Sequence, residues 1–276
     1  MDDERNTEPI PRYQMNWAEF KHHILETKAV RRAGEPIYRG QCNSSWRLQP
    51  SLQRLTPPVS HDSYVASIVP EAYRLLGGYL DADLDLAKAA ELNRFLGVLQ
   101  HHGFPTPLLD WTRSPYIAAY FAFSDLTFAS PTHDCVTVWM LNATFTVEFF
   151  RQHGSVAPYE MVTPHHRCNS RLLAQDGLFT RSLSEQPLDG ALAAGMQEHG
   201  HPGLLQRFDM PVFEARRALA DLALMGLHPG TLFPGIDGAC RWLKQAFFME
   251  NTYLPSPRVQ ALLAAVASPH RGGAME

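Results

Sequence analysis

The 276-residue chain predicts an α+β domain: a small, twisted, mainly antiparallel sheet with a helical insertion at about 55–100 and a helical C-terminal part. Two observations carry this. The runs 37-IYRGQ-41 and 135-CVTVWML-141 have the length and the β-branched and aromatic content of strands. Between them and after them, apolar residues recur at helical spacing, with caps and stops in place.

The elements follow in chain order. Residues 1–15 are read as a loose arm, and the domain as residues 16–250. Asn16 can cap a helix whose third residue is Glu19, with Trp17, Phe20, Ile24 and Leu25 recurring along it. Strand 37–41 leads through the polar residues Cys42–Ser45 to a second short strand, 46-WRL-48. Residues 62–80 are helical, and Asp81, Asp83 and Asp85 load the positive end of a further helix that runs through Leu86, Ala90, Phe95, Leu96 and Leu99 to Gly103. Gly103 with Pro105 behind it stops that helix. Leu108 to Thr112 reads as an exposed connection, and Ser114-Pro115 opens a helix over Pro115–Ser124.

Residues 135–141 form a buried strand, and Asp176-Gly177 marks a hairpin between Asn169 and Ser182. Residues 183–211 read as irregular; helices return over Val212–Leu224, stopped near Gly226, and over Ile236–Phe248. A tail covers 251–276, with the final HRGGAME disordered.

Composition narrows the function. With 45% apolar and 11% aromatic residues the chain fills a globular core, and its net charge of -4 argues against a general nucleic-acid or membrane-surface binder, which needs surplus cations. Cys42, Cys135, Cys168 and Cys240 form no C-x-x-C pair, so they are expected to be reduced and the protein cytoplasmic. The N-terminus carries no apolar signal core, and no apolar run reaches membrane-spanning length. G-x-x-x-x-G-K-[ST], strand-borne G-x-G-x-x-G, G-x-S-x-G and H-E-x-x-H are all absent. His165, His166 and Cys168 lack a second ligand pair at finger-like spacing, so no metal is expected.

Four short stretches carry candidate chemistry. In Tyr38-Arg39-Gly40-Gln41, a charged planar fork beside a glycine suits a phosphate or carboxylate, or else pairs with a core carboxylate beside a turn. His101 and His102 end a helix, as general acid-base groups or as caps of its last carbonyls. Asp110 follows two leucines and precedes a tryptophan, where a carboxylate needs a partner such as Arg39. Thr106, Thr112 and Gln175 are polar residues in apolar surroundings, where each needs a bond or a ligand.

The ordered set YRGQ (38–41), W-x-L-x-P-S-L-x-R (46–54), LQHHGFPTPLLDWTRSPYIAAYFA (99–122), the R-x-x-x-Q-x-G-x-F of Arg171–Phe179 and the late LFPGIDGA (232–239) resembles the FRG domain family, over roughly Trp17 to Leu243. The late motif departs from the family in carrying Gly235 at a usually acidic position. At the level of layout the chain is also similar to mono-ADP-ribosyltransferases, which implies a split sheet and NAD as substrate. In that resemblance Arg39 holds a phosphate of NAD, Thr112 shapes the nicotinamide-ribose pocket, and the helix carrying Tyr120 lies beside it. The late catalytic glutamate has no counterpart: Asn169, Arg171 and Gln175 occupy its region.

The resemblance therefore implies a catalytic set of Arg39, His102, Asp110 and Gln175. Tyr38, Gly40, Gln41, Thr106, Thr112, Tyr120 and Arg171 are the implied ligand-binding residues, all converging on one cleft for an NAD-like or other nucleotide-like ligand, in a bacterial stress or phage-defence setting. The competing expectation makes the same residues an internal lattice, with Arg39 locked to Asp110 and protein partners using the helical surface. A nucleic-acid-acting toxin, supported locally by Arg31, Arg32, Arg39, Arg47 and Arg54, is the third expectation.

Overall fold

The computed structural model describes residues 10–30, 36–80, 82–124, 133–163, 170–199 and 203–248. Strands β1 (Arg12–Gln14), β2 (Ile37–Gln41), β3 (Leu108–Thr112), β4 (Cys135–Leu141), β5 (Tyr159–Val162), β6 (Gly177–Ser182) and β7 (Leu205–Pro211) build one mixed sheet in the order β1-β7-β4-β2-β3-β6-β5. Each neighbouring pair is antiparallel except β1 with β7. The helices in chain order are α1 (Trp17–Val30), α2 (His61–Ser63), α3 (Val69–Leu76), α4 (Ala89–His101), α5 (Pro115–Ser124) and α6 (Ala143–Gln152). After them come α7 (Ser170–Ala174), α8 (Leu188–His199), α9 (Ala215–Leu224), α10 (Pro229–Leu232) and α11 (Ile236–Phe248). The fold is α+β with a mainly antiparallel sheet.

Alternation along the strands sorts the core into two faces. Tyr38, Val138, Met140 and Phe208 pack with Trp17 and Phe20 of α1, Phe123 of α5 and Leu219 of α9. Ile37, Trp111, Trp139 and Leu141 pack on the other face with Phe149 and Phe150 of α6 and Leu192 of α8. The segment between β2 and β3 forms the expected helical insertion and keeps its own core, in which Tyr64, Phe95, Leu96 and Leu99 meet Leu108 and Phe179 at the sheet's far end.

The sheet is continuous on either side of its centre and nearly parted there. β2 pairs with β4 at every residue from Ile37 to Gln41, and β3 pairs with β6 at every residue from Leu108 to Thr112. Between β2 and β3 a single register is paired, Tyr38 with Thr112.

Helix starts were the best-read features. Asn16 and Glu19 form the reciprocal capping pair, with Asn16 N donating to Glu19 Oε2 at 2.7 Å and Glu19 N donating to Asn16 Oδ1 at 3.0 Å. The helices predicted over Pro115–Ser124 and Ile236–Phe248 and the strand over 135–141 match in both bounds.

Other expectations are corrected. The arm supplies β1, an edge strand whose Arg12 donates to buried Asp209 at 2.6 Å. Residues 46–48 form no strand: Leu48 N donates to the Asp189 carboxylate, its carbonyl accepts from Leu188 N, and Gln41 Nε2 takes the Arg47 carbonyl, so the backbone is satisfied without a ladder. Asp83 and Asp85 precede α4, which begins only at Ala89. The exposed connection at 108–112 is β3, flanked by β2 and β6. The Asp176-Gly177 turn joins helix α7 to β6 and makes no hairpin. The 183–211 segment holds α8 and β7. His165, His166, Arg167, Cys168, Asn169 and the tail from 251 lie outside the described residues.

Candidate functional site

Where β2 and β3 part, a cleft of about 650 Å³ opens, within the size range of small-molecule sites. Its walls come from β2 and the loop after it, the end of α4, β3, α5 and α7. Of the sequence-predicted residues, Tyr38, Arg39, Gly40, Gln41, Asp110, Thr112, Arg171 and Gln175 line it.

Arg39 spans the gap in the sheet. Its Nη1 donates to the Asp110 main-chain carbonyl at 2.7 Å and lies 3.5 Å from Asp110 Oδ2. The guanidinium thus gives β3 a donor that a fully paired β2 would have given it. Its Nε is buried and has no partner among the described residues. Burial pushes the guanidinium below its ordinary value, Asp110 works against that, and Arg54 reinforces it. Asp110 is 57% exposed against 20% for Arg39, and its Oδ2 also accepts from Gln100 Nε2 at 3.0 Å. This is a half-open ion pair at the cleft mouth.

Several lining groups are occupied by the fold itself. Gln41 accepts from the Trp139 indole at 2.7 Å and donates to the Arg47 carbonyl at 3.1 Å. Thr112 Oγ1 donates to the Gln175 carbonyl at 2.8 Å, and Gln175 Nε2 donates to the Leu232 carbonyl at 3.0 Å. These amides and hydroxyls hold the walls together. Gly40 serves packing as well: a Cβ there would overlap the Ala118 carbonyl oxygen and stand 2.6 Å from the Ala122 nitrogen, so α5 lies directly on β2 only because the side chain is missing.

Three predicted residues are outside the cleft lining. His102 is the exposed C-terminal cap of α4, and its neighbour His101 lines the cleft in its place. Thr106 is fully buried and donates to Gln100 Oε1 while accepting from Leu108 N at 3.2 Å. Tyr120 faces a neighbouring groove. Burial, then His102 and Arg171, lower the His101 imidazole below its ordinary value, which keeps it neutral near pH 7.

The sequence reading missed Gln100 and Trp46, and gave Arg54 only to the nucleic-acid reading. Gln100 clamps both Asp110 and Thr106, and its position one turn before Gly103 was the available signal. Trp46 is about half exposed and lines the cleft. Arg54 is an exposed cation on the same wall. Asp110 is the carboxylate among the described lining residues, and no group of three or more His, Cys, Asp or Glu among the described residues could hold a metal ion.

An α+β sheet parted around an arginine-bridged cleft is the class that fold and site define. The FRG domain model matches residues 34–129, so that stretch carries an FRG domain. The match covers β2, the helical insertion, β3 and α5, which supply most of the cleft; Arg171 and Gln175 come from beyond it. No curated protein and no solved structure matches the chain. No helix among the described residues is long and apolar enough to cross a membrane.

Proposed function

We propose that the cleft binds an NAD-like, phosphorylated nucleotide, with Arg39 as the anion-holding group. The observation that carries this reading is the Arg39 Nε–H, buried in the cleft wall without a partner among the described residues, on a guanidinium whose other arm is already fixed by Asp110. A buried unpaired donor costs about 1–3 kcal/mol, and a phosphate oxygen would remove that cost with a charge-assisted bond. Arg54 adds positive potential on the same wall, and Trp46 offers a ring on which a base can stack. The bonds of Gln41, Thr112 and Gln175 keep this geometry in place before any ligand arrives.

Turnover is a second reading, favoured by the exposure of the Asp110 carboxylate at the mouth. In an ADP-ribosyl transfer the glycosidic carbon gains positive character, and a nearby carboxylate is the group that stabilises it. Asp110 then takes the part that a late glutamate takes in the transferases the layout resembles.

Calorimetry with NAD, ADP-ribose and AMP, on the wild type and on Arg39→Gln, tests the binding reading. Binding by the wild type and its loss in a folded Arg39→Gln variant support it; equal affinity in the two proteins overturns it.

A further inference from the structure

Next to the cleft, and sharing Phe121 and Arg171 with it, lies a smaller groove of about 400 Å³. Its walls carry Arg171 from α7 and Arg241 and Lys244 from α11, and no Asp or Glu among the described lining residues. The guanidinium carbons of Arg171 and Arg241 lie 4.6 Å and 4.5 Å from the Phe233 ring centre, which brings two like charges against one aromatic side chain. Neither arginine makes a salt bridge to a described residue. Asp110 and Asp237 act on Arg171 from a distance. At the groove's base Gln245 is 4% exposed and its Oε1 has no partner among the described residues.

Packing the Arg171 and Arg241 guanidinium groups against one ring with no salt bridge to a described residue is unfavourable, and the stacking on Phe233 recovers only part of that. An anion seated between Arg171 and Arg241 would reverse the sign of the interaction, and a hydroxyl or protonated phosphate on it could donate to Gln245. Because Arg171 and Phe121 belong to both hollows, one molecule can lie across them. We propose that this groove is a second anion subsite, and that the ligand carries two phosphates, adjacent or apart, one toward Arg39 and one between Arg171 and Arg241. A dinucleotide, or a nucleotide with a further phosphate on its far end, has that chemistry. This rests on the reading of the cleft as a nucleotide site. The chain's net charge of -4 favours such a small molecule over a nucleic-acid strand, which needs a long basic track.

The test uses the full chain, Arg241→Gln, and Arg39→Gln, with inorganic pyrophosphate, AMP and NAD as probes in calorimetry. Arg241 is exposed, so its variant keeps the fold. The expected result is that Arg241→Gln weakens pyrophosphate and NAD by about tenfold, the loss of one charge-assisted contact, and leaves AMP unchanged. Arg39→Gln should weaken AMP and NAD and spare pyrophosphate. Unchanged pyrophosphate and NAD affinity in Arg241→Gln overturns the second subsite while the cleft reading stands. Loss of pyrophosphate in Arg241→Gln with no effect of Arg39→Gln on any probe retains the subsite and removes the cleft reading. A wild type that binds none of the three overturns both.

Discussion

Arg39 Nη1 donates to the main-chain carbonyl of Asp110 at 2.7 Å, across the one place where the sheet is held by a single strand register, Tyr38 with Thr112. A side chain thus does in the middle of the sheet what backbone does elsewhere, and the space left beside it is the cleft. The same arginine is therefore both a tie between strands and a cation that lines that space.

The two duties separate by mutation. Arg39→Gln should lower stability by only about 1–2 kcal/mol, since one charge-assisted bond to a carbonyl is lost and the Asp110 carboxylate it leaves is more than half exposed. Ligand affinity should fall much further, and Arg39→Lys should not restore it, because an ammonium cannot hold the carbonyl and present a second aligned donor. Denaturant melts beside calorimetry check this; a loss of about 3 kcal/mol or more would mark Arg39 as part of a buried lattice instead.

Gly40→Ala should be severe. The new methyl would meet the backbone of α5 at Ala118 and Ala122, which cannot give way without moving the helix off the sheet. A cost of about 3 kcal/mol, at the upper end of overpacking, is expected, read as loss of soluble protein or of the cooperative melt.

How much of this was legible in the sequence depended on whether the signal was local. Asn16 with Glu19, and Ser114 before Pro115, are caps whose partners lie within three residues, and both helices begin where the caps put them. β3 was missed because its evidence is not local. The prolines at 105 and 107 and the carboxylate of Asp110 suggest a surface link, yet Leu109 and Trp111 feed one core while Leu108 feeds another. The 183–211 segment failed for a similar reason: Gly195 loosens the pattern of α8, but a Cβ there would stand 2.8 Å from Phe150 Cε1, so the glycine is a helix residue chosen for contact with α6. At the site, the adjacency of Arg39 and Asp110 was foreseen from chemistry. The internal bonding of Thr106, Gln41 and Thr112 was one of two open expectations, because polar residues among apolar ones look alike whether they await a ligand or one another.

Gln41→Leu should accordingly behave as a core mutation. It leaves the Trp139 indole N–H, buried beneath the cleft floor, without its acceptor, at a cost of about 1–3 kcal/mol. Thermal melts should show the loss, and nucleotide affinity measured well below the melt should fall by less than in Arg39→Gln.

Acid should weaken the fold in two separate windows. Burial lowers the imidazoles of His61, His101 and His228 below their ordinary 6.5. The unfolded chain therefore takes up protons that the folded chain refuses, and stability that is full above 6.5 falls as pH drops through the lowered values. The melting temperature should be lower at about pH 5 than at about pH 7.5. Carboxylates held down by cations, such as Glu148 beside Arg151 at about 2, contribute only below that window. A flat profile between the two pH values would contradict the buried-histidine account.

The claim on which the rest depends is that the Arg39 Nε–H awaits an anion. Nitrogen-15 NMR of arginine side chains reports that group directly. On addition of ADP-ribose, the Arg39 Nε–H signal, assigned by its absence in Arg39→Gln, should move downfield and exchange more slowly with water, as a donor newly bonded to phosphate does. A signal that stays in place while the ligand binds would put the anion elsewhere and contradict the account.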